Sequence, residues 1–318
     1  MRTDIWYDSQ GVGKIHGCRW TPEGEPKAVL QIVHGIAEFV ERYDGFANYL
    51  TDLGFVVVAE DHMGHGQSIN GGGIQGYFHG GWFTAIEDTM QLMKDTMAQY
   101  PGLPYVLFGH SMGSFMARTI LCKYPDSGIS AAIICGTGWQ PPLALPALVK
   151  VIEAICKKTG EEKPNEKLQG MVFGSYNKKV EHPRTAYDWL TRDAQIVDAY
   201  IDHPLCGFTA SAGLLRDMVK SFLYIQAPAN LANMRRDLPV FFIAGGDDPV
   251  GNYGKGIRQS ADAFRKAGMT DVSVRIYPLC RHEILNEINK EEVYEDVAQW
   301  IKSKINERHG YRLSSASS

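Results

Sequence analysis

The sequence predicts an α/β fold in which a mostly parallel, eight-stranded sheet is flanked by helices and carries an inserted helical cap. Short, nearly unbroken apolar runs, typical of strands buried on both faces, alternate with helical segments over residues 28–135. The alternation stops between residues 139 and 236, where helical periodicity dominates, and then resumes. We therefore expect a core of residues 1–138 and 237–308, a cap of residues 139–236 and a polar tail at residues 309–318.

The predicted sheet begins with a hairpin and continues with buried strands. Residues 5–7 and Lys14–Trp20 are short strand-like runs joined by a segment that contains two glycines. The buried strands are expected at residues 28–33, 55–59, 105–108, 131–135, 238–244 and 272–277. Helices are expected at residues 38–53, 82–100, 114–124 and 291–305 in the core, and at residues 145–155, 185–200 and 210–225 in the cap.

Composition excludes several classes of protein. The 318 residues are 44% hydrophobic and 21% charged, which is typical of a globular chain with one large core. A formal charge of -4 without a basic block argues against a nucleic-acid partner. Residues 1–10 lack the apolar centre of a signal peptide, and no apolar run approaches the roughly 20 residues that span a bilayer, so we expect a soluble, cytoplasmic protein. The six cysteines are widely spaced and are expected to be free thiols.

The pentapeptide Gly-His-Ser-Met-Gly at residues 109–113 lies between a predicted strand and a predicted helix. Small residues two positions before and after Ser111 allow a sharp strand-to-helix turn, which exposes the hydroxyl at a strained apex. The first N–H groups of the following helix point to the same place. A glycine-rich turn with a serine also arises without catalysis, so the pentapeptide alone does not decide the function.

Other polar side chains follow the predicted strands at the same edge of the sheet, where ligands bind in parallel α/β folds. Gly35 follows the first buried strand, and a tight turn there leaves N–H groups that can bind an oxyanion. Asp247 and Asp248 follow the strand at 238–244, and His282 follows the last strand. A serine nucleophile needs an imidazole to remove its proton and a carboxylate to orient the imidazole. Either aspartate can fill the carboxylate role on these grounds.

Two further loops suggest cofactor sites but do not fit them. His62 and His65 are three residues apart, yet the glycines around them predict a loop and not the helix that would bring both rings to one metal. The glycine-rich loop at residues 69–81 lacks the Lys and Ser/Thr of a phosphate-binding loop. We therefore expect neither a metal nor a cofactor to be needed.

Taken together, these segments resemble the α/β-hydrolases of the monoacylglycerol lipase, lysophospholipase and serine aminopeptidase group over nearly the whole chain. The matching segments are residues 34–38 with Arg42 and Tyr43, 61–68, 109–113, 245–250 and 281–283. The order Ser, Asp, His is also the chain order of these hydrolases. The spacing of the family motif implies that Asp248, and not Asp247, completes a catalytic triad with Ser111 and His282.

The resemblance also implies that the backbone N–H groups of Ile36 and Met112 form the oxyanion hole. It implies hydrolysis of a carboxylic ester with an apolar acyl chain, of the monoacylglycerol or lysophospholipid type, through an acyl-enzyme. Two alternatives stay open: an amidase or peptidase with the same triad, and a non-catalytic ligand-binding protein on this scaffold.

The cap should select the substrate, which we expect to be a small-molecule or lipid ester. Among its aromatic residues, Phe173 and Trp189 are the candidates for the substrate pocket. Four apolar residues of the cap, Leu143, Leu145, Leu148 and Val149, either pack on the core or make transient contact with a membrane surface.

Overall fold

The protein contains a single eight-stranded sheet in the order β1-β2-β4-β3-β5-β6-β7-β8. The computed structural model describes the backbone of residues 1–315 and the side chains of residues 1–305. The strands are β1 (Arg2–Asp8), β2 (Lys14–Trp20), β3 (Ala28–Val33), β4 (Phe55–Glu60), β5 (Tyr105–His110), β6 (Ala131–Cys135), β7 (Val240–Gly245) and β8 (Val272–Tyr277). The hairpin β1–β2 joins β4 antiparallel, and the pairs from β4 to β8 are parallel. The predicted fold class is confirmed.

Alternation along the buried strands explains the helices on both faces of the sheet. Val29 and Val33 of β3 belong to one hydrophobic cluster, whereas Leu30 and Ile32 belong to the other. Because successive side chains of a strand point to opposite faces, an unbroken apolar run needs cover on both sides. Helices provide that cover: α1 (Asp44–Asp52), α2 (Trp82–Gln99), α3 (Met112–Lys123), α9 (Lys255–Lys266) and α10 (Lys290–Ser315).

The cap lies between β6 and β7. Its helices are α4 (Leu145–Thr159), α5 (Glu166–Phe173), α6 (Ala194–Asp202), α7 (Ala212–Ile225) and the short α8 (Pro228–Leu231). Helix α7 packs on α3, where the rings of Phe115 and Phe222 are 4.5 Å apart. The buried side chain of Arg118 donates to the carbonyl oxygen of Gly138 at 3.0 Å and thereby holds the start of the cap against the core.

The four apolar cap residues singled out above divide into two pairs. Leu145 and Val149 are buried on the inner face of α4, so these two pack on the protein. Leu143 is 98% exposed and Leu148 is 37% exposed. Spacing of three and four residues along a helix separates a buried face from an exposed one, so neighbouring apolar residues need not share an environment.

Three segments differ from the predicted helices. The predicted helix at 185–200 begins only at Ala194, because the Asp193 side chain caps α6 and the Asp188 carboxylate binds the backbone N–H groups of Arg184 and Thr185. The segment at 38–53 starts with a short 3-10 helix, Val40–Tyr43, before α1. Helix α10 extends to Ser315, past the predicted end at residue 305, so the predicted tail is helical there; residues 316–318 lie outside the described part.

The cysteines are free thiols, as predicted. Among the described residues, no helix combines the length and apolar character that a bilayer-crossing segment needs.

Candidate active site

Ser111 lies at the apex of the turn between β5 and α3. Its backbone has φ 53° and ψ -120°, a conformation that non-glycine residues rarely adopt and that is often found at functional sites. The flanking glycines permit it. A Cβ on Gly109 would lie 2.4 Å from the carbonyl oxygen of Gly113, and a Cβ on Gly113 would lie 1.9 Å from that of Val33.

His282 and Asp248 form a buried pair next to this turn. Nδ1 of His282 donates to Oδ1 of Asp248 at 2.9 Å, and the N–H of Val250 donates to the same oxygen at 2.9 Å. Asp247 is exposed, and its backbone N–H donates to the carbonyl oxygen of Cys280. Of the two aspartates, the structure thus brings Asp248 to His282. A proton held on Nδ1 leaves Nε2 as the basic atom of the neutral ring.

The two predicted oxyanion donors belong to segments that adjoin Ser111. Met112 is the first residue of α3, and the first N–H groups of a helix have no partner within it. Ile36 follows Gly35 in the loop after β3 and lines the same cavity as Ser111. A Cβ on Gly35 would lie 3.1 Å from Cβ of Ser111, so only glycine lets this loop approach so closely.

A pair of histidines holds that loop in place. Nε2 of His34 accepts from the backbone N–H of His62 at 3.1 Å, and Nε2 of His62 donates to the carbonyl oxygen of His34 at 3.1 Å. His65 binds the carbonyl oxygen of Met63 through Nδ1, and burial lowers its pKa to about 3. His62 and His65 were considered above as metal ligands, but the structure engages each of them with the backbone of these loops.

The site opens into a cavity of about 380 Å³ between the core and the cap. Ser111 and His282 line it together with both predicted pocket residues, Phe173 and Trp189. The Trp189 ring centroid is 5.1 Å from that of His282. Apolar side chains from both parts of the chain supply most of the remaining wall: Phe115, Leu148, Ile152, Leu168, Met171, Met218, Val219, Phe222 and Val250.

A buried charge network adjoins the site and was not predicted as a functional group. Arg42 binds Glu283 through two hydrogen bonds of 2.7 and 2.6 Å, and it donates to Glu38 at 2.7 Å. The other oxygen of Glu38 accepts from the N–H of Gly35 at 2.6 Å and lies 3.3 Å from Nδ1 of His110. The network thus links the loop of Ile36, the residue before Ser111 and the residue after His282.

These contacts decide the ionisation of the network. Burial opposes the charge of Glu38, but the hydrogen bond with His110 and the charge of Arg42 outweigh it, so the pKa of Glu38 lies well below its ordinary value. Burial likewise opposes the charge of His110, and its hydrogen bond with Glu38 raises the pKa of that ring overall. The separation of four residues between Glu38 and Arg42, and the position of Glu283 next to His282, are the signals that a reader of the sequence could have used.

Comparison with known proteins shows the family of this chain. The family model described as serine aminopeptidase, S33, matches residues 24–289. The monoacylglycerol lipase of Mycolicibacterium smegmatis is 28% identical over 290 residues, covering 90% of this chain and 92% of that protein. The monoglyceride lipase of Mus musculus is 27% identical over 298 residues, covering 92% and 88%.

Among solved structures, a thermostable carboxyl esterase from Bacillus coagulans in complex with glycerol superposes with a TM-score of 0.89. It is 30% identical, and the match covers 96% of this chain and 99% of that one. The chain therefore belongs to the serine aminopeptidase S33 family and is an ester hydrolase of the α/β-hydrolase fold.

Proposed function

We propose that this protein hydrolyses carboxylic esters with an apolar acyl chain, of the monoacylglycerol or lysophospholipid type, through an acyl-enzyme on Ser111. One observation carries the proposal. A serine at the strained apex of a strand-to-helix turn lines the same apolar cavity as His282, which is paired with the buried Asp248. We place Phe173 and Trp189 in the wall of the substrate pocket.

The proposed reaction has two halves. Nε2 of His282 takes the proton of the Ser111 hydroxyl while Oγ attacks the ester carbonyl, and Asp248 stabilises the resulting imidazolium. The N–H groups of Ile36 and Met112 bind the oxyanion, and each such donor is typically worth about 100- to 1,000-fold in rate. His282 then gives its proton to the leaving alcohol, and in the second half it activates the water that releases the acid.

The apolar wall of the cavity and the names of the relatives support this substrate class. A long acyl chain that enters such a cavity removes apolar surface from water. Each Å² of that surface stabilises the complex by about 25 cal/mol. The family description leaves an aminopeptidase as the second candidate. Comparing kcat/KM on monoacylglycerols, nitrophenyl esters of increasing chain length and an aminoacyl anilide separates the two. We expect kcat/KM to be higher for the esters with longer chains than for the short esters and the anilide. A higher kcat/KM for the anilide would reject the ester assignment.

We further propose that the cap touches lipid surfaces as the substrate enters. Leu143, Leu148, Val151 and Met171 are exposed, and two of them, Leu148 and Met171, also line the cavity. An apolar rim continuous with an apolar cavity lets an acyl chain pass from a lipid aggregate without crossing water.

Vesicle co-sedimentation tests this contact. Leu143→Asp should weaken binding to phosphatidylcholine vesicles, because Leu143 is 98% exposed. Ile288→Asp, at an exposed apolar residue outside the cap, is the matched control and should bind as the parent protein does. Equal binding of all three proteins would refute the contact.

A further inference from the structure

The hairpin β1–β2 at the edge of the sheet carries three side chains with metal-binding atoms. Asp4 lies opposite Cys18 in the strand register, and His16 precedes Cys18 by two residues, so the three share one face of the hairpin. One ligand atom from each lies within 4.8 Å of the other two. None of these three side chains lines the cavity that contains Ser111.

The distances between these atoms suit a tetrahedral ion. Oδ1 of Asp4 is 3.6 Å from Sγ of Cys18 and 3.7 Å from Nε2 of His16. Zinc bonds of 2.0 to 2.3 Å at tetrahedral angles separate oxygen, nitrogen and sulfur ligands by about 3.4 to 3.6 Å. The two distances from Oδ1 of Asp4 are therefore within a few tenths of an ångström of those in a zinc site.

The histidine already has the outer partner that zinc ligands usually have. Nδ1 of His16 donates to Oδ2 of Asp61 at 2.7 Å, and this carboxylate is itself fixed by the N–H groups of Val40 and Gln67 at 2.9 and 2.8 Å. A proton held on Nδ1 leaves the lone pair of Nε2 on the side of Asp4 and Cys18. His16 and Asp61 are both buried, so the ring is held in this orientation.

The charges around the cluster favour a cation. The carboxylates of Glu41, Asp4 and Asp61 place negative charge near the Cys18 thiol. Oε2 of Glu41 is buried without a hydrogen-bond partner among the described residues. Arg2 is the cation that opposes them, and its guanidinium is paired with Asp44. A buried carboxylate oxygen without a donor is costly unless a positive charge lies nearby.

We propose that Asp4, His16 and Cys18 bind a zinc ion that stabilises the edge hairpin. Mixed oxygen, nitrogen and sulfur donors are typical of zinc and unlike the all-oxygen sites of magnesium or calcium. On binding, the ion forms bonds to Oδ1, Nε2 and Sγ, and the thiol proton leaves to solvent. The fourth position, beside the exposed Asp4, takes a water molecule.

Cobalt and zinc titrations of the chelator-treated full-length protein test the site. Co²⁺ bound to a thiolate gives a near-ultraviolet charge-transfer band, which we expect to saturate at one equivalent and to disappear when Zn²⁺ is added. Cys18→Ser should abolish the band, whereas Cys122→Ser, at another buried thiol, should keep it. A missing band would show that the cluster does not bind the metal, and a band that survives in Cys18→Ser would show that another thiol binds it; either result would overturn the proposal.

A second pair of variants guards against misfolding. Asp4→Asn, at an exposed side chain, should weaken Zn²⁺ at least tenfold in competition with a chromogenic chelator, and Asp8→Asn on the same strand should not. Zn²⁺ should raise the Tm of the parent protein and of Asp8→Asn but not of Asp4→Asn. Ester turnover should be equal in all three, which keeps this test independent of the catalytic proposal. Equal zinc affinity in all three proteins would also overturn the site.

Discussion

Asp248 is the residue on which the orientation of His282 depends. Its Oδ1 accepts from His282 and from the N–H of Val250, and its Oδ2 is buried without a hydrogen-bond partner among the described residues. A carboxylate that accepts from Nδ1–H of an imidazole fixes which ring nitrogen carries the proton. In the proposed mechanism, the same carboxylate stabilises the positive charge that forms on His282 when Ser111 attacks.

Replacing each of the two neighbouring aspartates by asparagine in turn separates their roles. Asp248→Asn should lower kcat by about 10⁴-fold, because an amide in that place favours the wrong imidazole tautomer. Asp247→Asn should stay within a few-fold of the parent protein, since its side chain is exposed. Steady-state kinetics on a nitrophenyl ester measure both, and a larger loss in Asp247→Asn would transfer the role.

A substitution at Gly35 tests whether the loop after β3 supplies the Ile36 N–H as an oxyanion donor. A Cβ there would lie 2.6 Å from Oε1 of Glu38 and 3.1 Å from Cβ of Ser111, so Gly35→Ala should displace the loop. Displacement of a catalytic group by about 1 Å can cost about 100-fold in kcat. Gly24→Ala is the control, because nothing lies within 4 Å of its added methyl group. Parent-like kcat in Gly35→Ala would argue against an oxyanion donor in this loop.

At the scale of elements, the sequence predicts the core better than the cap. Strands such as β3 and β4 are apolar at all but one position, so their presence and approximate ends follow from the sequence pattern. Residues 185–193 lack an unbroken apolar run. They form turns instead of the predicted helix, because the side chains of Asp188 and Asp193 accept hydrogen bonds within this segment and at the start of α6. The contact between Arg42 and Glu283 joins residues 241 positions apart, and no helix or strand periodicity predicts a contact at that separation.

The cap contributes Phe173, at the end of α5, to the wall of the cavity. Phe173→Ala should raise KM for long-chain esters by about 10-fold, since partial burial of a phenyl ring against the substrate is worth about 1 to 2 kcal/mol. Acetyl esters, which are too short to reach the ring, should change little. The exposed Phe83→Ala serves as the control. An equal change in KM for short and long chains would remove Phe173 from the acyl site.

Across the whole molecule, Glu38 connects the active site with stability. The pKa of this carboxyl is lower in the folded protein than its ordinary value of 4.5, so its ionisation stabilises the fold above that pH and the contribution is lost as the pH falls through the folded pKa. Removing one partner of a buried ion pair typically costs about 3 to 5 kcal/mol.

Glu38→Gln should therefore lower the free energy of unfolding at pH 7 and flatten its decline as the pH falls below about 4.5, because the variant has no charge to lose there. Urea unfolding at several pH values measures this. Glu25→Gln, at an exposed carboxylate, should leave the curve unchanged. A curve for Glu38→Gln parallel to that of the parent protein would contradict the assigned pKa direction.

If Ser111 forms the acyl-enzyme, covalent labelling should detect the nucleophile at this residue. Incubation with a fluorophosphonate followed by peptide mass spectrometry should place one adduct on Ser111, with loss of ester turnover in proportion to labelling. Ser111→Ala should remain unlabelled and lose roughly 10⁶-fold in turnover. An adduct on another residue, or a Ser111→Ala variant that retains most of its turnover, would show that Ser111 is not the nucleophile.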